Sequence, residues 1–135
     1  MPVKITYLKD RGVMVKGSGF VSWKDIYHAN ETIYDTADKI KSIYYQIADF
    51  TDVSGTDITS EQVKILAEQD AQAAKINPNL IVAVVGADDL VYGLARMWKA
   101  YAGEVYFETG VFRDIDSARQ WITDKLDKLH GREAV

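Results

Sequence analysis

The amino-acid sequence predicts an α/β fold, in which an N-terminal β-hairpin is followed by βα units that build a mostly parallel five-stranded sheet. Segments rich in β-branched residues alternate along the chain with segments whose apolar residues recur at helical spacing. Residues 80–85 are apolar without interruption, which is typical of a central strand covered on both faces. Strands that alternate with helices favour parallel pairing through crossover helices.

The first elements follow from local pattern. Residues 3–8 alternate between apolar and polar side chains, which predicts a half-buried strand. Gly12 can take a positive φ in a turn, and the chain resumes an extended run at residues 13–15, so we expect a hairpin. Glycines at 17 and 19 are expected to end the second strand. Ser22 then opens a helix whose apolar stripe runs as far as Ala37.

Residues 43–48 predict the third strand, and residues 49–58 are expected to form a polar loop. Thr59 and Gln62 form a capping box that opens the next helix, which ends at residues 77–79 around a proline.

After the apolar strand, Asp88 and Asp89 open a further helix that stops at Gly103. Residues 104–109 predict the fifth strand, and the last helix is expected to begin near residue 114. We expect Ile115, Ala118 and Ile122 to face the sheet, with Trp121 covering one flank of the core.

Composition limits the function. A chain of 135 residues is expected to form a single domain over residues 1–135. It has no cysteine, its 16 basic residues are scattered, and no apolar run approaches the ~20 residues of a membrane helix. We therefore predict a cytoplasmic protein with no membrane span, no nucleic-acid partner and no cofactor.

The C-terminal third carries a family resemblance. The segments A-R-M-W at 95–98 and V-F-R-D-I-D-S-A-R-Q-W-I at 111–122 resemble the SpoIIAA-like branch of the STAS superfamily, in which F-R-x-x-x-x-A-x-x-W commonly closes the domain. The resemblance implies a right-handed βα superhelix. It also implies a regulatory module of the kind that includes anti-sigma-factor antagonists, switched by phosphorylation in a partner-binding loop.

The switch motif of that family, D-S-[AS]-G, corresponds to Asp52-Val53-Ser54-Gly55. Valine occupies the phosphoacceptor position, so the resemblance implies partner binding more than phosphorylation. Ser54 and Thr56 are the hydroxyls that remain in the predicted loop.

The predicted partner-binding or phospho-switch site therefore comprises the residues Phe50, Asp52, Ser54, Thr56 and Thr59. Phe50 is expected to supply an apolar anchor in a polar, flexible loop. The alternative interpretation is a solvated connection whose Asp, Ser and Thr side chains bond to nearby backbone groups. The aspartates in it miss the spacing of a calcium loop, so we predict no metal.

Three functions remain open. The first is a non-enzymatic module that binds a protein partner or a second copy of itself. The second is a binder of a small apolar or lipid-like ligand held between the sheet and a helix. The third is an enzyme with an assembled site around Asp49, Asp88 or His28, although capping explains Asp88 and no sequence motif involves His28 or His130. We also expect that, if all helices cover one face of the sheet, the other face exposes aromatic surface.

Overall fold

A computed structural model describes residues 2–103 and 108–130, apart from the side chain of His130. Its five strands lie in the order β1-β2-β3-β4-β5. The pairing is antiparallel between β1 and β2 and parallel elsewhere, as predicted. The strands are β1 (Val3–Tyr7), β2 (Gly12–Val21), β3 (Tyr45–Thr56), β4 (Ile81–Val85) and β5 (Glu108–Phe112). The helices are α1 (Trp23–Ile33), α2 (Ala37–Ser42), α3 (Ser60–Ile76), α4 (Asp89–Ala102) and α5 (Ile115–His130).

The apolar run forms β4, and the prediction of a buried strand is confirmed, since all five of its residues are buried. It lies between β3 and β5 with helices over both faces. Val82 and Val84 point to one face, and Ile81, Ala83 and Val85 to the other. A strand covered on both sides has no solvent-facing position, which explains why its sequence does not alternate.

The helices divide between the two faces. Helices α1 to α4 pack on the face that carries Val82 and Val84, whereas α5 packs on the opposite face against β3, β4 and β5. The expectation of one helix-covered face and one open aromatic face is therefore wrong. Ala118 and Ile122 of α5 are buried against the sheet, and Ile115 packs beside them, as predicted.

The predicted helix ends are largely confirmed. The Thr59 side chain accepts a hydrogen bond from Gln62 N at 3.3 Å, and the Gln62 side chain accepts one from Thr59 N at 2.9 Å. Asp88 Oδ1 accepts from Val91 N at the start of α4, and Gly103 ends that helix with φ 77°. Asp114 Oδ1 accepts from Ser117 N at 2.8 Å and so precedes α5 as its cap.

The first hairpin differs from its prediction. Arg11, not Gly12, has the positive φ, at 67°. Long-range contacts hold this conformation, because Arg11 Nε donates to Ser42 O at 2.8 Å and its guanidinium stacks 4.2 Å from the Tyr44 ring centroid. Gly12 is required for another reason: a Cβ there would overlap the ring of Tyr45.

Three element boundaries also differ. Strand β2 passes through residues 17–19 with two register shifts and ends at Val21. Helix α1 ends at Ile33, and Ala37 begins the separate helix α2. Strand β5 runs over Glu108–Phe112, while residues 104–107 of the predicted fifth strand lie outside the described residues.

Candidate functional site

The predicted loop at residues 49–58 is a strand as far as Thr56, so its prediction as a loop is wrong. Its register with β2 places Asp52 opposite Ser18, Val53 opposite Gly19, and Thr56 opposite Val21. The segment contains turn-forming residue types, but its backbone pairs with β2 along one edge, and this pairing overrides that preference.

This part of β3 extends beyond the neighbouring strand on its other side. Strand β4 pairs with β3 only from Tyr45 to Asp49 and ends at Val85. From that point β2 and β3 continue as a pair at the C-terminal end of the parallel sheet, the end where open α/β sheets usually bind their ligands. We refer to residues 18–21 and 50–56 as the β2–β3 tip.

The side chains of the β2–β3 tip point in two directions. Phe50 is half-buried and packs into the α1–α4 side of the core, and Val53 is 9% exposed in a small cluster with Val21 and Val91. Asp52 and Ser54 are exposed. The position that holds the phosphoacceptor in the switch motif, here Val53, therefore faces the core in this chain.

Two of the predicted site residues use their hydroxyls in local structure. Thr56 Oγ1 donates to Val21 O at 2.6 Å and accepts from Ile58 N at 3.2 Å, which joins the end of β3 to the end of β2. Thr59 caps α3 through its contact with Gln62. Of the predicted residues, Asp52 and Ser54 thus present their side chains to solvent beside one another on β3.

The exposed aromatic ring at the tip belongs to Phe20 rather than Phe50. Phe20 is 59% exposed and lies opposite Gly55 in the register of β2 and β3. A Cβ on Gly55 would lie 3.5 Å from the Phe20 ring, an ordinary van der Waals distance, so the ring lies close to Gly55 across the strand pair. Sequence reasoning missed Phe20 because the second strand was expected to stop before it, at the glycines.

An exposed ion pair between β2 and β3 lies beside this surface. Lys16 Nζ lies 3.1 Å from Asp52 Oδ2, and both side chains are largely exposed. Hydrogen bonding to the Asp52 carboxylate, with the charge of that group, raises the pKa of Lys16. A pair this exposed contributes little to stability, so its main effect is on the charge of the surface.

Beneath the helices lies a buried polar network that the sequence analysis did not identify. Asp70 of α3 is 4% exposed, and its carboxylate accepts from Tyr34 Oη and from Trp98 Nε1, each at 2.8 Å. Gln46 of β3 continues the network to Asn30, with 3.2 Å between Gln46 Nε2 and Asn30 Oδ1. In the sequence, this network is indicated by the position of Asp70 on the apolar stripe of α3.

Burial raises the pKa of Asp70 to about 6, and the hydrogen bonds from Tyr34 and Trp98 oppose that shift only in part. Tyr34 Oη lies 2.8 Å from Asp70 Oδ1 and 2.9 Å from Gln46 Oε1, but a phenol has only one proton to donate. When Asp70 is protonated, it can donate to Tyr34 Oη, which then donates to Gln46. The neutral acid therefore satisfies this network more fully than the carboxylate does.

The residues proposed for an assembled catalytic site are each engaged locally. His28 Nδ1 lies 2.8 Å from Glu31 Oε1 on an exposed face of α1. Asp49 Oδ1 accepts from the backbone and hydroxyl of Thr51, and Asp88 caps α4. Within residues 2–103 and 108–130, no group of three His, Cys, Asp or Glu side chains is arranged to hold a metal ion.

The residues that carried the family resemblance are structural. Arg113 donates to Asp89 Oδ1 at 2.8 Å and stacks 4.2 Å from the Tyr92 ring centroid, which joins the β5–α5 connection to α4. The Phe112 and Trp121 rings lie 5.4 Å apart. The motif thus holds α4, β5 and α5 together.

Comparison with solved structures finds a similar fold. The chain is similar to the solved structure described as the anti-sigma factor antagonist SpoIIAA in its unphosphorylated form, with a TM-score of 0.56 and 12% identity over 90% of this chain and 97% of that one. No protein-family model and no curated protein sequence matches the chain. Among the described helices, none is long and apolar enough to cross a membrane. The similarity to this solved structure confirms the expectation of a SpoIIAA-like fold.

Proposed function

We propose that this chain is a non-enzymatic regulatory module that binds a protein partner through the β2–β3 tip and the start of α3. The similar fold belongs to a protein described as an anti-sigma factor antagonist. The site comprises Phe20, Asp52 and Ser54 at its surface, with Thr59 at the adjoining helix start. Phe50 and Thr56 support this surface from within the fold.

The observation that carries the proposal is the exposure of Phe20 beside polar groups. A phenylalanine that is 59% exposed at a strand end leaves much apolar area in contact with water. Aromatic side chains dominate the energetics of protein interfaces when they are buried by a partner. Asp52 and Ser54 on the adjacent strand supply the hydrogen-bonding groups expected at the rim of such an interface.

Phosphorylation of Ser54 would oppose this docking. Ser54 is exposed, whereas the Thr56 hydroxyl is engaged with Val21 O, so Ser54 is the more accessible acceptor of the two. A phosphate would add about two negative charges close to the Asp52 carboxylate. We expect this charge to disturb the Lys16–Asp52 pair and weaken partner binding.

The test is a quantitative pull-down from native extract with wild type, Phe20→Ala, Ser54→Asp and Tyr7→Ala. Tyr7 is a matched control, because it is also 59% exposed but lies on β1 at the opposite end of the sheet. We expect a partner that wild type and Tyr7→Ala recover equally, and that Phe20→Ala and Ser54→Asp lose at least in part.

Light scattering of the purified variants shows whether the partner is a second copy of the chain, and thermal denaturation shows that each variant is folded. The proposed surface is contradicted if all four proteins recover the partner equally, or if Tyr7→Ala alone fails to recover it.

A further inference from the structure

The α1–α4 side of the core contains a partly open cavity of about 80 Å³ between the sheet and helices α1, α3 and α4. Its walls are mostly apolar and include Val15, Ala48 and Val84 from the sheet and Leu66 and Ala95 from the helices. A water molecule needs only about 10–15 Å³ of such space, but it also needs polar partners. The cavity is therefore large enough for a guest other than water.

The polar groups at the cavity limit what that guest can be. Four polar side chains line part of the cavity wall, and each is hydrogen-bonded within the buried network: Asn30, Gln46, Asp70 and Trp98. In the described part of the chain, no buried side-chain nitrogen or oxygen lacks a partner. A charged or strongly polar guest would lose its own hydration without gaining a free partner here. The walls thus favour an uncharged apolar guest.

The cavity also has a route to the surface. Phe50, Thr56 and Ile58 line it, and each is partly exposed to solvent. These residues belong to the β2–β3 tip and to the connection that leads into α3, where β3 has passed the end of β4. Movement of these side chains would admit a guest without separating the helices from the sheet.

We propose that this cavity is a binding site for a small uncharged apolar molecule, or for the apolar end of a larger one. A vacant apolar cavity forgoes the dispersion contacts that close packing provides, and an apolar guest restores them without breaking the polar network. This site lies inside the core beneath the β2–β3 tip rather than on its exposed surface, and the proposal does not depend on that surface binding a protein.

The indole N–H groups of the three tryptophans allow a direct test. Trp98 lines the cavity, whereas Trp121 packs on the α5 side of the sheet and Trp23 lies against Tyr27 at the start of α1. The ¹H–¹⁵N spectrum of the ¹⁵N-labelled protein is recorded with increasing benzene, with xenon under pressure, and with benzoate as a charged counterpart. We expect saturable shifts of the Trp98 indole signal with benzene or xenon, no comparable shift with benzoate, and unmoved signals from Trp23 and Trp121.

Filling the cavity provides the decisive control. Ala95→Leu adds volume inside it, and Ala100→Leu places the same change at an exposed position of α4. The benzene and xenon shifts are expected to persist in Ala100→Leu and to disappear in Ala95→Leu. If Ala95→Leu does not fold, Ala48→Val fills the cavity from the sheet instead. The proposal is overturned if neither apolar probe shifts Trp98 selectively, or if the shift survives in a folded cavity-filling variant.

Discussion

The two faces of the sheet are packed in different ways. On the α5 side, the rings of Phe112 and Trp121 pack closely against β5. A Cβ on Gly110 would lie 2.7 Å from the Phe112 ring and 3.1 Å from the Trp121 ring. On the α1–α4 side, the core contains a cavity and a carboxylate bonded to Trp98 and Tyr34. One face is therefore closely packed, while the other combines a buried titratable carboxylate with unfilled space.

The largest effect is expected for Trp98→Ala. Trp98 is 7% exposed and donates to Asp70 Oδ2, so the substitution removes a large buried ring and leaves a buried acceptor without its donor. We expect the free energy of unfolding to fall by about 3–5 kcal/mol, as for other large-to-small core changes. Urea denaturation at 25 °C measures it. Trp98→Phe keeps a ring but lacks the N–H, so its free energy of unfolding should lie between those of Trp98→Ala and wild type. If Trp98→Ala costs no more than Trp121→Ala, the expected difference between the two faces is contradicted.

The second prediction concerns the pH dependence of Asp70. Its pKa is about 6 in the folded protein and near the ordinary value of 3.8 when unfolded, so the folded state binds the proton more tightly. The carboxyl therefore stabilises the fold least when it is charged. Its contribution to the free energy of unfolding is constant below about pH 4, decreases as pH rises through about 6, and levels off above that pH. The full change corresponds to about 3 kcal/mol.

Asp70→Asn should remove this fall, because the amide can donate to Tyr34 and accept from Trp98 at every pH. The measurement is the urea midpoint of wild type and variant from pH 4 to pH 7. Glu68→Gln, at an exposed position of the same helix, is the matched control and should follow wild type. Parallel curves for wild type and Asp70→Asn would show that the buried carboxyl does not titrate in this range.

Trp121→Ala tests the α5 side. Its ring contacts Phe112 and lies over the β5–α5 region, but it is partly exposed, so less area returns to water than on loss of Trp98. We expect a cost of about 2 kcal/mol, below the range for fully buried aromatics. An unchanged denaturation midpoint would show that the indole contributes nothing to the core.

The smallest effect is expected for Arg113→Ala. Its guanidinium contacts the Tyr92 ring and the Asp89 carboxylate, both at the surface. Exposed ion pairs and cation–π contacts each contribute roughly 1 kcal/mol or less, so we expect a loss of about 1 kcal/mol that decreases in high salt. Arg96→Ala, at an exposed position of α4, is the control and should have a smaller effect. A loss as large as that of Trp121→Ala would mean that the Arg113 contacts have a greater part in holding α4 to α5.

Local sequence was sufficient to predict much of the fold. The apolar run in β4, the Thr59 capping box and the stripe through Ala118 and Ile122 depend on residues close together in the chain, and all three are confirmed. Helix period, strand burial and capping are properties of short segments, so they can be predicted without knowing what those segments contact.

The candidate site depended on contacts between distant segments. Residues 50–56 have the composition of a loop, yet they form a strand because β2 lies beside them and continues to Val21. That pairing turns Phe50 and Val53 inward and leaves Phe20 at the surface. Which side chain faces water in a strand is set by the register with its neighbour, and a change of one residue would reverse it.

The sequence by itself determined the alternation of strands with helices, the buried central strand and the starts of α1, α3, α4 and α5, because each arises from periodicity and capping within a segment. Only the tertiary structure decided that α5 covers the second face, that Asp70 meets Tyr34 and Trp98, and that a cavity remains beside them. The physical reason is that burial, pKa and packing volume belong to the space between elements. In this protein that space is enclosed by residues from β2, β3, β4, α1, α3 and α4 together.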